Sequence, residues 1–282
     1  MKKLQRLMID GGFTCPNRDG KVGTRGCTYC RNDAFAPAYC RASGSITAQL
    51  EAAKRFFASR YPDMAYLAYF QSYSGTYASP EVLRARYEEA LRVPGVVGLV
   101  IATRPECLSD AVLDLLEELS HRVSVRVEVG VESCHDHVLR RIARGHDFAC
   151  AQDAIQRLAA RGLPVGVHII LGMPEESREE MLRGAELLSR LPIASVKLHQ
   201  LQILRDTPMA EDFRLHPEAF VTFPTAQDYV ELAVQFVTRL RADIEVERIV
   251  AECPPALLLS PRWGLKPQAV QQLFNSKLTQ LL

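Results

Sequence analysis

The chain has 282 residues, 48% hydrophobic and 24% charged, and its 34 Lys+Arg against 33 Asp+Glu leave a formal charge of +1. That balance excludes a disordered or strongly basic chain and suits a globular protein with a sizeable core; an anionic partner must be met by a local patch. No apolar run approaches the ~20 residues of a membrane span, and MKKLQRLMID lacks the apolar stretch of a secretory signal, so a cytoplasmic, reducing setting with no membrane partner is expected. There the eight cysteines read as metal ligands, catalytic thiols or small buried hydrophobes rather than disulfides.

In chain order, a strand is predicted at Leu4–Ile9, followed by a Gly- and charge-rich loop that holds Cys15, Cys27 and Cys30. Helix Thr47–Ser59, strand Ala65–Gln71, helix Pro80–Leu91 and strand Val96–Thr103 come next. Helix Asp110–Leu119, strand Val123–Gly130, helix Phe148–Arg161, strand Val165–Leu171, helix Arg178–Leu191 and strand Ser195–Leu201 continue the alternation. The stretch from Leu204 to Thr225 is irregular, with Pro208, Pro217 and Pro224; then follow helix Ala226–Leu240, strand Glu245–Ala251 and the irregular tail CPPALLLSPRWGLKP. Ser79 before Pro80 and Ser109 before Asp110 are helix starts, and Gly162 is a stop. Strands separated by helices of this length predict right-handed βαβ units, a parallel sheet and a full or partial (β/α) barrel, with chemistry on the loops at the strands' C-terminal ends. Residues 1–204 form the expected core, and 205–282 an extension of helix, further strand and irregular tail packed on it.

The cysteines are spaced Cys-x11-Cys-x2-Cys. A Cys-x2-Cys pair reaches one metal centre across a tight turn, and such thiolates suit zinc or an iron–sulfur cluster. Three sulfurs on a four-iron cluster leave one iron open to a cofactor. With Cys40 as a fourth ligand, the same residues would make a closed zinc site in a non-enzymatic binding module.

CPNRDGKVGTRGCTYC resembles the cluster loop of radical S-adenosylmethionine (radical SAM) enzymes, and more narrowly the family typified by the bacterial YhcC and YtqA proteins, related to the elongator catalytic subunit. The resemblance continues through YFQSYSGTYAS, IATRPECL, EVGVES, RIARGHDF, HIILGMPEES and KLHQLQIL, in order over nearly the whole chain. It implies an α/β fold, a partial (β/α)6-type radical SAM barrel. It implies a 4Fe–4S cluster on Cys15, Cys27 and Cys30, S-adenosylmethionine at the open iron, and an external one-electron reductant such as flavodoxin or ferredoxin.

The resemblance also implies roles for single residues. Tyr29 packs on the adenine. Glu132 meets the ribose, as in the oxygen-independent coproporphyrinogen dehydrogenase. Arg144 pairs with the cofactor's carboxylate, a task for a planar fork of donors. His168 takes a ribose-contacting position, and Gly172 lets the backbone approach the adenine edge. Where relatives carry a Gly-Gly-Glu-like segment this chain reads Phe70-Gln71-Ser72, so Gln71 and Ser72 offer side-chain oxygens instead. Thr103 and Arg104 end a strand at the mouth, and Asn17, Arg18 and Asp19 support the cluster loop.

Strand periodicity adds its own reading. Glu128, Gly130 and Glu132 share one face, and two acids there are costly unless that face lines a polar cavity. Lys197, His199 and Leu201 likewise share a face in a strand type that is usually apolar on both sides. Lys197 and His199 are therefore candidates for substrate binding or proton transfer, and Leu201 for the cofactor wall. Kinship with the elongator subunit implies tRNA wobble uridine as substrate, modified at its C5 side chain, with Arg31, Arg41, Arg55, Arg60, Arg84 and Arg86 as candidate phosphate contacts. A radical SAM enzyme acting on a small metabolite or peptide is the alternative.

Overall fold

A computed structural model describes residues 3–42, 44–58 and 64–281. Strand β1 (Lys3–Ile9) leads through the cysteine loop to α1 (Ala38–Ala42) and α2 (Ile46–Ala58). There follow β2 (Met64–Phe70), α3 (Pro80–Leu91), β3 (Val96–Thr103), α4 (Asp110–Ser120), β4 (Ser124–Glu132), α5 (Asp136–Arg141) and α6 (Phe148–Ala160). Then come β5 (Val165–Leu171), α7 (Arg178–Ser189), β6 (Ser195–Gln200), β7 (Ile203–Leu204), α8 (Pro208–Leu215) and α9 (Ala226–Val237). The chain closes with β8 (Glu245–Arg248), β9 (Leu258–Ser260) and α10 (Pro267–Thr279).

Seven strands form one parallel sheet in the order β1-β2-β3-β4-β5-β6-β8, and β7 and β9 make a separate antiparallel pair. The sheet curls into a partial barrel with one strand more than the six-unit core predicted. The extra strand, β8, comes from the predicted extension and pairs with β6.

The strands have two unlike faces. One carries Leu7, Ile9, Ala68, Phe70, Leu99, Ile101, Val127, Val129, Val167, Ile169, Val196 and Leu198, all buried under the helices in one continuous core. The other carries Arg6, Tyr69, Glu128, His168, Lys197, His199 and Arg248, whose hydrogen bonds and ion pairs meet one another inside the curl. A period of two separates an apolar wall from a polar interior.

Local signals start the helices, those of α3 and α4 as predicted. Ser79 and Ser109 cap α3 and α4, Asp147 caps α6, and Ser177 with Glu180 forms a capping box on α7. Gly162, at φ +70°, follows α6. Helices α8 and α10 fall in or beside stretches read as irregular. Pro208 and Pro267 sit at their first turns, where proline's missing N–H costs nothing. Predicted strand Glu245–Ala251 pairs only over β8, and predicted helix end Ser59 lies outside the described residues.

Candidate active site

The cysteine loop is held by its own backbone and by α2. Gln49 accepts from the Asp10 amide at 2.8 Å and donates to its carbonyl at 3.0 Å. Beyond it the Arg18 amide donates to the Cys15 carbonyl, Gly26 to Asn17, and Cys30 to Cys27. Asn17, 5% exposed, donates its side-chain amide to the Ala143 carbonyl at 2.7 Å and to Cys27 Sγ at 3.5 Å. Arg18 donates to the Cys30 carbonyl at 3.0 Å, and Asp19 accepts from the Lys21 amide. The loop is thereby a preformed scaffold for Cys15, Cys27 and Cys30, which all line one cavity of about 520 Å³ at the C-terminal ends of the strands.

Two buried guanidiniums face Cys27: Arg104 Nη1 at 3.5 Å and Arg144 Nη1 at 3.6 Å. Burial opposes ionisation of this thiol, but Arg144 and Arg104 outweigh it and bring its pKa below the usual value. Cys30 is pushed up by burial and by Cys27. Arg104 is held by Glu106 and by the Arg144 carbonyl. Three sulfurs on one wall, with donors aimed at one of them, fit a cluster with three protein ligands. Cys40 is elsewhere. Its thiol donates to the Met8 carbonyl at 3.4 Å, facing a crevice with Pro37 and Ser72. Among the described residues no three His, Cys, Asp or Glu side chains converge as a single metal ion needs. Cys40 therefore does not share a cavity with Cys15, Cys27 and Cys30, as a four-thiolate zinc site would require.

Arg144 joins this end to the sheet. Its Nη2 donates to the Gly130 carbonyl at 2.8 Å and lies 3.2 Å from Glu132, while Nε donates to His146 Nε2 at 2.9 Å. Burial and Arg144 lower His146 to about 3, which keeps the ring a neutral acceptor. Glu132 sits at φ +70°, where the register with β5 shifts, a strained backbone at a strand end beside the cavity. A Cβ on Gly130 would lie 2.6 Å from both Arg144 Nη2 and Glu132 Oε1, so only glycine leaves room for this pair. Tyr29 lines the cavity beside them, and burial raises its hydroxyl pKa well above the usual value.

Gln71, Thr103, His168, His199 and Leu201 also line the cavity. Thr103 is fixed by Ser74 and Thr76 hydroxyls at 2.9 and 2.6 Å. Three predicted residues are not on its wall. Ser72 faces the Cys40 crevice. Gly172, at φ +92°, makes room for Phe223, whose ring a Cβ would meet at 2.7 Å; the close approach belongs to the C-terminal segment. Lys197 is buried beneath the floor, its Nζ 2.5 and 2.6 Å from the two Glu128 oxygens. It does not stand free beside His199 as the strand pattern suggested.

That floor is an ionic network. Glu128 accepts from Tyr69 at 2.6 Å and Arg6 at 3.0 Å and lies 2.9 Å from His168 Nε2. Arg6 reaches Glu247 at 2.6 Å, and Arg126 reaches it at 3.0 Å, so β1 and β8, the unpaired edges of the sheet, are bridged across the interior. Burial opposes ionisation of Glu128, but His168, Lys197 and Arg6 outweigh it and hold its pKa well below the usual range. Burial and Arg248 keep His199 neutral. Sequence reasoning found Glu128 but missed Arg6, Tyr69, Glu247 and Arg248. Their signal was a polar residue in the same strand phase as Glu128, readable only once the curl is known.

Three of the six arginines proposed for phosphate are committed to acids. Arg84 forks Glu118 at 2.6 Å twice, Arg86 faces Glu89 at 3.9 Å, and Arg31, on the cavity rim, reaches Asp206 at 2.9 Å. Arg60 lies outside the described residues, as does the side chain of Arg41.

Residues 20–188 match the radical SAM superfamily model, and residues 193–280 match the radical SAM C-terminal domain. YtqA of Bacillus subtilis (strain 168) is 34% identical over 98% of this chain and 85% of its own. The chain belongs to the radical SAM superfamily. YhcC of Escherichia coli (strain K12) is 38% identical over 93% of this radical SAM chain and 83% of its own. A tRNA uridine(34) acetyltransferase of Methanocaldococcus infernus is 36% identical over 83 residues, 29% of this chain and 15% of that protein. The fold matches Methanocaldococcus infernus Elp3 with TM-score 0.71 at 16% identity, covering 100% of this chain and 64% of that one. As a radical SAM enzyme the protein uses a 4Fe–4S cluster and S-adenosylmethionine. No helix among the described residues is long and apolar enough to cross a membrane.

Proposed function

We propose that this radical SAM enzyme modifies the wobble uridine of tRNA at its C5 side chain. The observation that carries the reading is the stretch shared with tRNA uridine(34) acetyltransferases. The fold shared with Elp3 along the whole chain is consistent with it. Residues 1–204 would be the catalytic core and 205–282 the extension that adds β8 and covers the barrel with α9 and α10.

Cys15, Cys27 and Cys30 would hold the cluster, and Tyr29, Gln71, Thr103, Glu132, Arg144, His168 and Leu201 the S-adenosylmethionine. The cluster would pass one electron from an external reductant to the sulfonium of bound S-adenosylmethionine, supplying the radical chemistry of this superfamily. The chain's own part is to position and shield. Arg104 and Arg144 favour the thiolate of Cys27 and repel no anion brought beside them. Arg144, braced by Glu132 and the Gly130 carbonyl, presents a fixed cation to a carboxylate. Tyr29 offers an apolar ring face to a base. His199, neutral, lines the wall without competing for charge.

The test is anaerobic. Reconstituted protein is reduced and given S-adenosylmethionine with and without bulk tRNA, and 5′-deoxyadenosine is quantified. Cleavage stimulated by tRNA, with a steep salt dependence, supports the reading. Cleavage indifferent to tRNA overturns it in favour of a small-molecule or peptide substrate.

A further inference from the structure

Two residues that line the cavity each keep one buried polar atom without a partner, a donor in one and an acceptor in the other. Arg248 ends β8, and Gln202 lies two residues past β6, the neighbouring strand. Both line the cavity. Arg248 Nη2 approaches the His199 ring nitrogens at 3.2 and 3.3 Å, while its Nε is buried without a partner. Gln202 Nε2 donates to the Ala251 carbonyl at 3.1 Å. That carbonyl can only accept, which fixes the amide's orientation and leaves Oε1, also buried and unpartnered, as a free acceptor. Buried donors and acceptors are rarely left unpaired. A turn of the two lining side chains toward the cavity would bring this donor and this acceptor to a ligand, and the group that completes both is the one to look for.

We propose that Arg248 and Gln202 read the substrate, taking the edge of a planar group that presents an acceptor oxygen beside an N–H, as the imide edge of uracil does. The inference rests on the tRNA-uridine reading above and adds how the base is recognised. A carboxylate or phosphate alone would satisfy Arg248 but set its charge against Gln202 Oε1. Cytosine presents the reverse order, an amino donor toward Arg248 and a ring nitrogen acceptor toward Gln202. Uracil's O4 and N3–H match both groups. Its C5, on the far side of C4 from N3, stays clear of Gln202. A wobble base in a single-stranded loop can be turned out of its stack to present this edge.

The experiment uses the full, reconstituted protein with three anticodon stem-loop RNAs carrying uridine, 3-methyluridine or cytidine at the wobble position. Binding and 5′-deoxyadenosine formation are measured for each. The expected result is stimulation by the uridine RNA and a loss of about tenfold or more with the other two, since a site built for a substrate N–H leaves its acceptor unpaired against an analogue lacking it. Gln202→Leu should erase the preference for uridine over 3-methyluridine while the cluster absorbance is unchanged. Equal stimulation by all three RNAs overturns this inference and leaves the tRNA reading standing. No response to any of them, with S-adenosylmethionine still cleaved, overturns both. Should Gln202→Leu fail to fold, the three RNAs on the unaltered protein still decide.

Discussion

The two ends of the cavity are built differently. The cluster end is made of loops and strand termini. Asn17 reaches across to Ala143, Glu132 sits at positive φ, and Arg104 and Arg144 converge on one thiol. The floor is made of strand interiors, where Glu128 is surrounded by Tyr69, His168, Lys197 and Arg6. The first end keeps two buried cations beside the Cys27 thiol. The second neutralises its charges internally and ties the sheet's two open edges together. Substitutions at the floor should therefore be read in stability, and those at the cluster end in cofactor binding.

The largest effect is expected at the floor. Glu128→Ala leaves buried Lys197 with only Glu247, 3.7 Å away, and half-buried Arg6 with Glu247 alone, and breaking a buried pair costs about 3–5 kcal/mol. Thermal denaturation should show a fall of roughly 6–15 °C in Tm. A change of a degree or two would mean that the network does not brace the sheet.

At the other end, Arg144→Ala unpairs buried Glu132 and should itself lower Tm by several degrees, but its distinguishing effect is on S-adenosylmethionine binding, weakened by roughly a hundredfold, about 2.7 kcal/mol for a charge-assisted fork. Equilibrium dialysis on the reconstituted protein measures it. An affinity loss no larger than the one Glu128→Ala causes would erase the contrast between the ends. Gly130→Ala should do the same more gently. Its Cβ would displace the buried tips of Arg144 and Glu132, so a loss of about tenfold in affinity is expected, with a smaller fall in Tm than Arg144→Ala gives.

This contrast bears on what could be read from the sequence. The apolar strand face, the helix caps and the cysteine loop were legible because each is local: alternation, Ser before an apolar run, Cys-x2-Cys. Helices α8 and α10 were not, because Pro208 and Pro267 read as breakers when they are starters. The floor was half legible. Glu128, His168 and Lys197 stood out one by one, but Arg6, Tyr69 and Glu247 become their neighbours only when strands distant in sequence curl around one interior. Gly172 shows the same limit, since its positive φ was inferable but not that Phe223 fills the space.

A smaller effect concerns pH. Glu176 is buried away from the cavity wall, accepting from Ser133 at 2.5 Å, and burial pushes its carboxyl up to about 8. Between its ordinary value near 4.3 and about 8, the folded chain keeps a proton that the unfolded chain has lost. Stability should therefore fall as pH rises through that window. Glu176→Gln should flatten the slope in denaturation measured from pH 5 to 8. Glu128 acts oppositely: its depressed pKa stabilises the fold above its ordinary value and is lost as pH falls below about 4.

The most direct measurement of the central claim compares two cysteine variants by electron paramagnetic resonance after anaerobic reconstitution and reduction. The cavity wall formed by Cys15, Cys27 and Cys30 predicts that Cys40→Ala keeps a reduced 4Fe–4S signal that shifts when S-adenosylmethionine is added, while Cys30→Ala loses it. Loss of the signal in Cys40→Ala, or its survival unchanged in Cys30→Ala, would contradict the three-thiolate site.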